Sequence, residues 1–203
     1  MTPAQPTREQ ENDAAVALVN RARNGDSEAF DALVRTYQRQ VISVAFRLLG
    51  NGEDAQDVGQ EAFVRAYRSL PQLADPSRFA PWLMRTVTNL ALNFRRARRL
   101  RSAASLDESE GLLDTARTAT DGRPVVGNRQ ANAGPLPDEV HGAVTRAIET
   151  LPDKQRLALV LFSVEGMPQK DVAEILDCSA ELVKWNVFQA RKKLKELLAE
   201  YLE

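Results

Sequence analysis

Apolar residues recur along much of this chain at steps of three and four, the spacing that puts them on one face of an α-helix. Phe30, Leu33, Val34, Tyr37, Val41, Val44, Ala45 and Leu48 trace one such face, and Gly50 is placed to stop the helix. Ala55, Val58, Ala62, Ala66 and Leu70 trace a second, halted by Pro71. A third helix is predicted to begin near Pro81, since proline is tolerated in a first helical turn, with Leu83, Val87, Leu90 and Phe94 facing inward. A shorter helix over 16–22 completes a set of four. Phe79 and Trp82, at the end of a proline-punctuated loop, are expected in the core.

Over 102–136 the periodicity lapses and Gly, Pro, Ser, Thr, Asn and Asp take its place, the composition of a flexible linker, acidic in its first half. It resumes at Val144, Ile148 and Leu151, then at Leu157, Val160, Leu161 and Val164, with Gly166 as a stop. From Met167 to Leu198 the chain reads helix, tight turn, helix: Pro168 opens the first, Asp177, Cys178 and Ser179 turn, and Ser179 can N-cap the second. There Val183, Val187, Ala190, Leu194 and Leu197 should face the core, and Cys178 should be a small buried residue of the turn. No segment alternates as a strand does. The expected fold is therefore all-α: two small helical domains, 13–101 and 137–203, joined by a flexible linker over 102–136, the second containing a helix-turn-helix, with residues 1–12 disordered.

The chain has 203 residues, 43% hydrophobic and 27% charged, which fits one or two ordinary globular domains and excludes a disordered or fibrous chain. No apolar run approaches the ~18 residues of a membrane span, and the N-terminus lacks both the basic start and the apolar stretch of a signal peptide. The expectation is a cytoplasmic protein without membrane insertion. A lone cysteine, Cys178, rules out an internal disulfide, and a lone histidine, His141, removes most zinc and triad chemistries. No convergent set of catalytic groups remains, so no enzyme, metal or cofactor is expected.

Net charge is −1, from 27 basic and 28 acidic residues, yet the charges are segregated. Residues 50–61 hold Glu53, Asp54, Asp57 and Glu61 and no base; residues 85–101 hold six arginines and no acid; residues 184–195 hold five bases and no acid. On the third helix Arg85, Asn89, Asn93 and Arg96 form a polar stripe opposite the apolar one. Paired amides suit base edges, and Arg95, Arg96 and Arg99 in the following arginine run can neutralise phosphates. On the last helix Glu181, Lys184, Trp185, Phe188, Lys192 and Lys195 lie opposite the core face, with Arg191 at its edge, behind Ser179. A recognition helix in a major groove and a solvated terminal helix both carry such a face, and the exposed aromatics favour the first. The acidic helix start would repel DNA and so suits another partner, although ordinary solvation favoured by the helix dipole is also open to it.

Taken in order, DAQDVGQEAFVRAYRSL, FAPWLMRTVTNLALNFRRARR, a variable linker and LPDKQRLALVLFSVEGMPQKDVAEILDCSAELVKWNVFQARKKLKELL resemble an extracytoplasmic-function (ECF) sigma factor of bacterial RNA polymerase. The resemblance implies a promoter-specificity subunit with no catalysis of its own, whose partners are core RNA polymerase, promoter DNA and an anti-sigma factor. It assigns Asp54, Asp57, Gln60, Glu61 and Phe63 to core-polymerase docking. Arg85, Asn89, Asn93, Arg95, Arg96 and Arg99 are assigned to the −10 element, with base capture in the loop before Trp82. Ser179, Glu181, Lys184, Trp185, Phe188, Arg191 and Lys192 are assigned to the −35 element. Trp185 and Asn186 stand where family members commonly carry small polar and arginine residues. A free-standing helix-turn-helix regulator with a helical sensor domain is the alternative; it would have no use for the acidic docking helix.

Overall fold

The computed structural model describes residues 8–108 and 138–201, and every regular element within them is helical. Most of the expected linker and N-terminal segment lie outside the described residues. The first unit comprises α1 (Arg8–Arg23), α2 (Ser27–Leu49), α3 (Gly52–Ser69) and α4 (Phe79–Glu108). The second comprises α5 (Asp138–Glu149), α6 (Asp153–Ala158) continued by a π-helical segment (Leu159–Val164), α7 (Gln169–Ile175) and α8 (Ala180–Leu197).

Local chemistry sets the boundaries. Asp26 accepts the Ala29 N–H at 3.0 Å and caps α2. Gly50 ends that helix at φ 72°, a left-handed conformation that a glycine adopts without a Cβ penalty, and donates its N–H to Phe46 O at 2.7 Å. Asn51 immediately caps α3 through Asp54 N–H at 3.0 Å, so the two helices are joined with almost no slack. Asp75 holds the Ser77 N–H and hydroxyl, at 2.9 and 2.7 Å, and shapes the entry to α4. That helix starts at Phe79, two residues before the expected position, and keeps Pro81 within its first turn.

Two boundaries and one burial differ from the sequence reading. Helix α1 begins at Arg8, so part of the segment expected to be disordered is helical, and it extends well beyond 16–22. Helix α4 continues past Arg101 to Glu108, through residues assigned to the linker. Its last stretch mixes arginine, alanine, leucine and glutamate, good helix formers that need no apolar stripe, with two serines and an aspartate. Leu197 is exposed rather than buried.

Phe79 is fully buried, with Tyr37 at 5.4 Å and the half-buried Trp82 at 5.9 Å between ring centroids. A second stripe on α4, with Met84, Thr88 and Ala91 buried and Arg95 half-buried, was not marked by the apolar pattern. Its position follows from packing: α4 lies against α2 and α3, and also against α7 of the second unit. The hydrophobic cluster is continuous across the two units, running from Leu33, Val44 and Leu83 to Leu161, Val172 and Val183. Around it α2 meets α5 and the π-helical segment.

The junction has a buried cation at its centre. Arg156 on α6 is 1% exposed and donates from Nη1 to Leu48 O of α2 at 3.1 Å and from Nη2 to Leu151 O at 3.1 Å and to Glu149 O. Leu48 O also accepts from Arg95 Nη1 at 3.3 Å. Helix C-termini leave carbonyls without internal partners and carry partial negative charge, which two guanidinium groups answer here.

Candidate nucleic-acid interface

The helical pitch of α4 places Arg85, Asn89, Asn93 and Arg96 within an arc of about 80° at 100° per residue. All four are exposed, opposite the buried run of Leu83, Val87 and Leu90. Two amides a turn apart, with a guanidinium at each end, form a strip that can hydrogen-bond base edges and hold phosphates. Arg95 does not join them. Its side chain is only 14% exposed, directed at Leu48 O and 3.4 Å from Asp153 Oδ1. Burial pushes its guanidinium pKa down, and Asp153 opposes that shift. Arg99 is exposed and also lies 3.5 Å from Asp153.

In the second unit, α7 and α8 are set by a turn in which Asp177 adopts φ 49° and Cys178 N–H reaches back to Ala173 O at 3.0 Å. Gln169 Nε2 donates to Ala180 O and ties the two helix starts together. Ser179 Oγ accepts the Leu182 N–H at 3.2 Å, so its hydroxyl is committed to capping α8. Glu181 has its pKa lowered by its own backbone N–H and then by the Ser179 hydroxyl, which keeps it anionic. Lys184, Trp185, Phe188, Arg191 and Lys192 are exposed, the two aromatics at 53% and 64%. Arg191 Nη2 donates to Ser163 Oγ at 3.1 Å, which steadies one edge of the face. Asn186 is turned inward, 4% exposed, donating to Leu182 O at 2.8 Å, and cannot reach an outside ligand. Cys178 is partly buried and its thiol pKa is raised by desolvation, which favours the protonated form.

Helix α3 exposes Asp57, Gln60 and Glu61, the last paired to Arg65 at 2.6 Å. Asp54 is half-buried, 3.5 Å from Arg98. Phe63 is half-buried beside a shallow apolar concavity that Phe30, Val64, Tyr67 and Arg68 complete, with Phe30 and Tyr67 edge to face at 4.9 Å. The sequence reading found Phe63 and missed Val64 and Tyr67, 41% and 52% exposed. Their signal was large apolar residues off the stripe defined by Ala55, Val58, Ala62 and Ala66. Among the described residues no cluster of three or more His, Cys, Asp or Glu could hold a metal ion. Nor is any helix there long and apolar enough to cross a membrane.

Comparison with known proteins matches this layout. Residues 33–101 fit the model of Sigma-70 region 2, and residues 141–194 that of Sigma-70 region 4. The RNA polymerase sigma-H factor of Pseudomonas aeruginosa is 32% identical over 185 residues, covering 91% of this chain and 94% of its own. The ECF RNA polymerase sigma-E factor of Escherichia coli K12 is 34% identical over 178 residues, covering 87% and 90%. Among solved structures, CnrH in complex with the cytosolic domain of CnrY superposes with a TM-score of 0.63 at 27% identity, over 92% of this chain and 98% of that one. The sigma factor RpoE, solved with the anti-sigma factor NepR from Bartonella quintana, shares the fold with a TM-score of 0.62 at 23% identity, over 84% and 96%. With both sigma regions present in order and full-length relatives above 30% identity, the chain belongs to the ECF sigma factors, the subunits that direct RNA polymerase to promoters.

Proposed function

We propose that this sigma factor divides promoter recognition between two exposed faces, α4 for the −10 element and α8 for the −35 element, with α3 docked on core polymerase. The observation that carries the reading is the strip of Arg85, Asn89, Asn93 and Arg96, wholly exposed although the helix bearing it is buried on two other sides. Asn89 and Asn93 read bases, and Arg96 and Arg99 hold phosphates. On α8, Lys184, Arg191 and Lys192 supply the cations, while Trp185 and Phe188 offer apolar surface to thymine methyl groups. Ser179 serves by fixing the helix start, and Glu181 repels misplaced phosphate near it. On α3 the carboxylates of Asp57 and Glu61, with Gln60 and the half-buried Asp54, face a basic polymerase surface, and Phe63 supplies the apolar anchor.

The chain acts in the cytoplasm as a regulatory subunit without catalysis of its own, and an anti-sigma partner restrains it. The similar chain CnrH is itself held by a cytosolic domain, that of CnrY. The test is run-off transcription from a promoter library with core polymerase and the purified chain. Enrichment of one promoter class, lost on mutating its −10 element, is expected. DNA binding without any polymerase-dependent transcript would instead favour a free-standing helix-turn-helix regulator.

A further inference from the structure

Beyond its polar strip, α4 runs clear of the surrounding helices. Residues 96–101 are all exposed, about one and a half turns of helix, and they include Arg96, Arg98, Arg99 and Arg101. Among these arginines stands Leu100, 72% exposed, the most exposed large apolar side chain among the described residues. No carboxylate lies between Arg85 and Arg101 in the chain. A leucine so placed adds nothing to the core, and the cations around it fit a polyanion.

Register ties Leu100 to the residues assigned above to DNA. It follows Asn93 by seven residues, about 20° short of two full turns, and Arg96 by four. Arg85, Asn89, Asn93, Arg96 and Leu100 therefore share one arc of about 80°. At 1.5 Å per residue Leu100 lies about 10 Å beyond Asn93, the rise of about three base pairs. Its chain neighbours Arg99 and Arg101 diverge by about 100° to either side, so a leucine aimed at the floor of a groove sends one guanidinium towards each wall. Arg99 is 61% exposed and meets Asp153 only at 3.5 Å. Arg98, on the far side of the helix, lies 3.5 Å from Asp54 of α3. Leucine can neither donate nor accept a hydrogen bond. The feature of a base edge that suits it is the C5-methyl group of thymine, which the major groove displays.

We propose that Leu100 is a further specificity-determining residue, which packs on a thymine methyl group in the major groove of the duplex beside the −10 element, with Arg99 and Arg101 on the flanking phosphates. This rests on the assignment of α4 to the −10 element. The contact lies on the upstream side, because α4 continues past Leu100 into the segment that leads to the second unit and its −35 face. The arginines hold any sequence, whereas Leu100 distinguishes thymine at one position.

The test uses holoenzyme reconstituted from core polymerase and the full chain, on the promoter that run-off selection yields. At each of the first five base pairs upstream of the −10 element in turn, on either strand, thymine is compared with deoxyuridine, which differs only by lacking the methyl group. Competition binding should show a preference for thymine of about fourfold at one or two adjacent positions, the effect of withdrawing one methyl group from apolar contact. Leu100→Ala should abolish that preference and Leu100→Met should retain most of it, with core-polymerase affinity and melting temperature unchanged in both. Equal affinity for thymine and deoxyuridine at all five positions would overturn the proposal, as would a preference that survives Leu100→Ala. A loss of core-polymerase affinity in Leu100→Ala would also overturn it, by placing polymerase rather than DNA on this side chain. If no promoter yields a transcript, the function reading itself fails; a transcript without any methyl effect counts against Leu100 alone.

Discussion

At the scale of single residues, the α4 strip separates two kinds of contact that mutation can tell apart. Asn89→Ala and Asn93→Ala are each expected to reduce discrimination between a matched and a mutated −10 element by about 1–3 kcal/mol, measured by competition binding of the polymerase complex. Arg96→Ala should weaken binding to all sequences and flatten the dependence of log affinity on log salt by up to about one unit. Arg156 makes a different case, since it is buried against the carbonyls of Leu48, Leu151 and Glu149. Arg156→Leu orphans Leu151 O and Glu149 O at roughly 1–3 kcal/mol each, so thermal unfolding should move down by many degrees. The strip was legible in the sequence because spacing alone fixes which residues share a helical face. The true setting of Arg95 was not, because its carboxylate lies on α6, far along the chain, and spacing carries no information about that neighbour. Asn186 was legible by the same spacing, three residues after Val183 and four before Ala190 at the border of the core face; its bond back to Leu182 O was not.

At the scale of elements, side-chain caps at Asp26, Asn51 and Ser179 start α2, α3 and α8. Asn51→Ala should cost about 1 kcal/mol, read as a lower denaturation midpoint with an unchanged slope. Asp26 adds a pH dependence. Its pKa lies below the ordinary 3.8, first because of the Ala29 N–H and then because of Arg21. A carboxylate lowered in the folded state contributes stability that is present above its unfolded pKa and is lost as pH falls through the folded one. The difference in melting temperature between the native chain and Asp26→Asn should therefore be constant near neutrality and shrink below about pH 4. Helices α2, α3, α4 and α8 were recognisable because each has an apolar stripe bounded by a cap or a breaker. Polar residues at the start of α1 give no such stripe, and its beginning went unseen. The π-helical segment was hidden too, since LVLFSV is nearly all apolar and no polar position marks its period.

At the scale of the whole molecule, the two-domain plan was readable from the lapse of periodicity between the units, but their packing against each other was not. It depends on arginines and carboxylates that are unremarkable surface charges until the chain is folded, and on the stripe of Met84, Thr88, Ala91 and Arg95 that only a second neighbour buries. Asp153→Asn is expected to release Arg99 and to raise nonspecific DNA affinity of the free chain by a few fold at low salt, measured by fluorescence anisotropy, with the gain vanishing as salt rises. The junction has a further consequence through connectivity. Both sides of the contact between the units belong to one polypeptide, so their packing together is a first-order event with an effective concentration set by the tether rather than by the amount of protein. Dilution cannot open it, and making more of the chain cannot overcome it. If molecules with the units packed outnumber those with the units apart by about ten, the apparent affinity for any partner that needs them apart falls by about that factor, whatever the partner's own chemistry. The packing thus sets one threshold common to every partner that needs the units apart, and it acts without touching either exposed helix face.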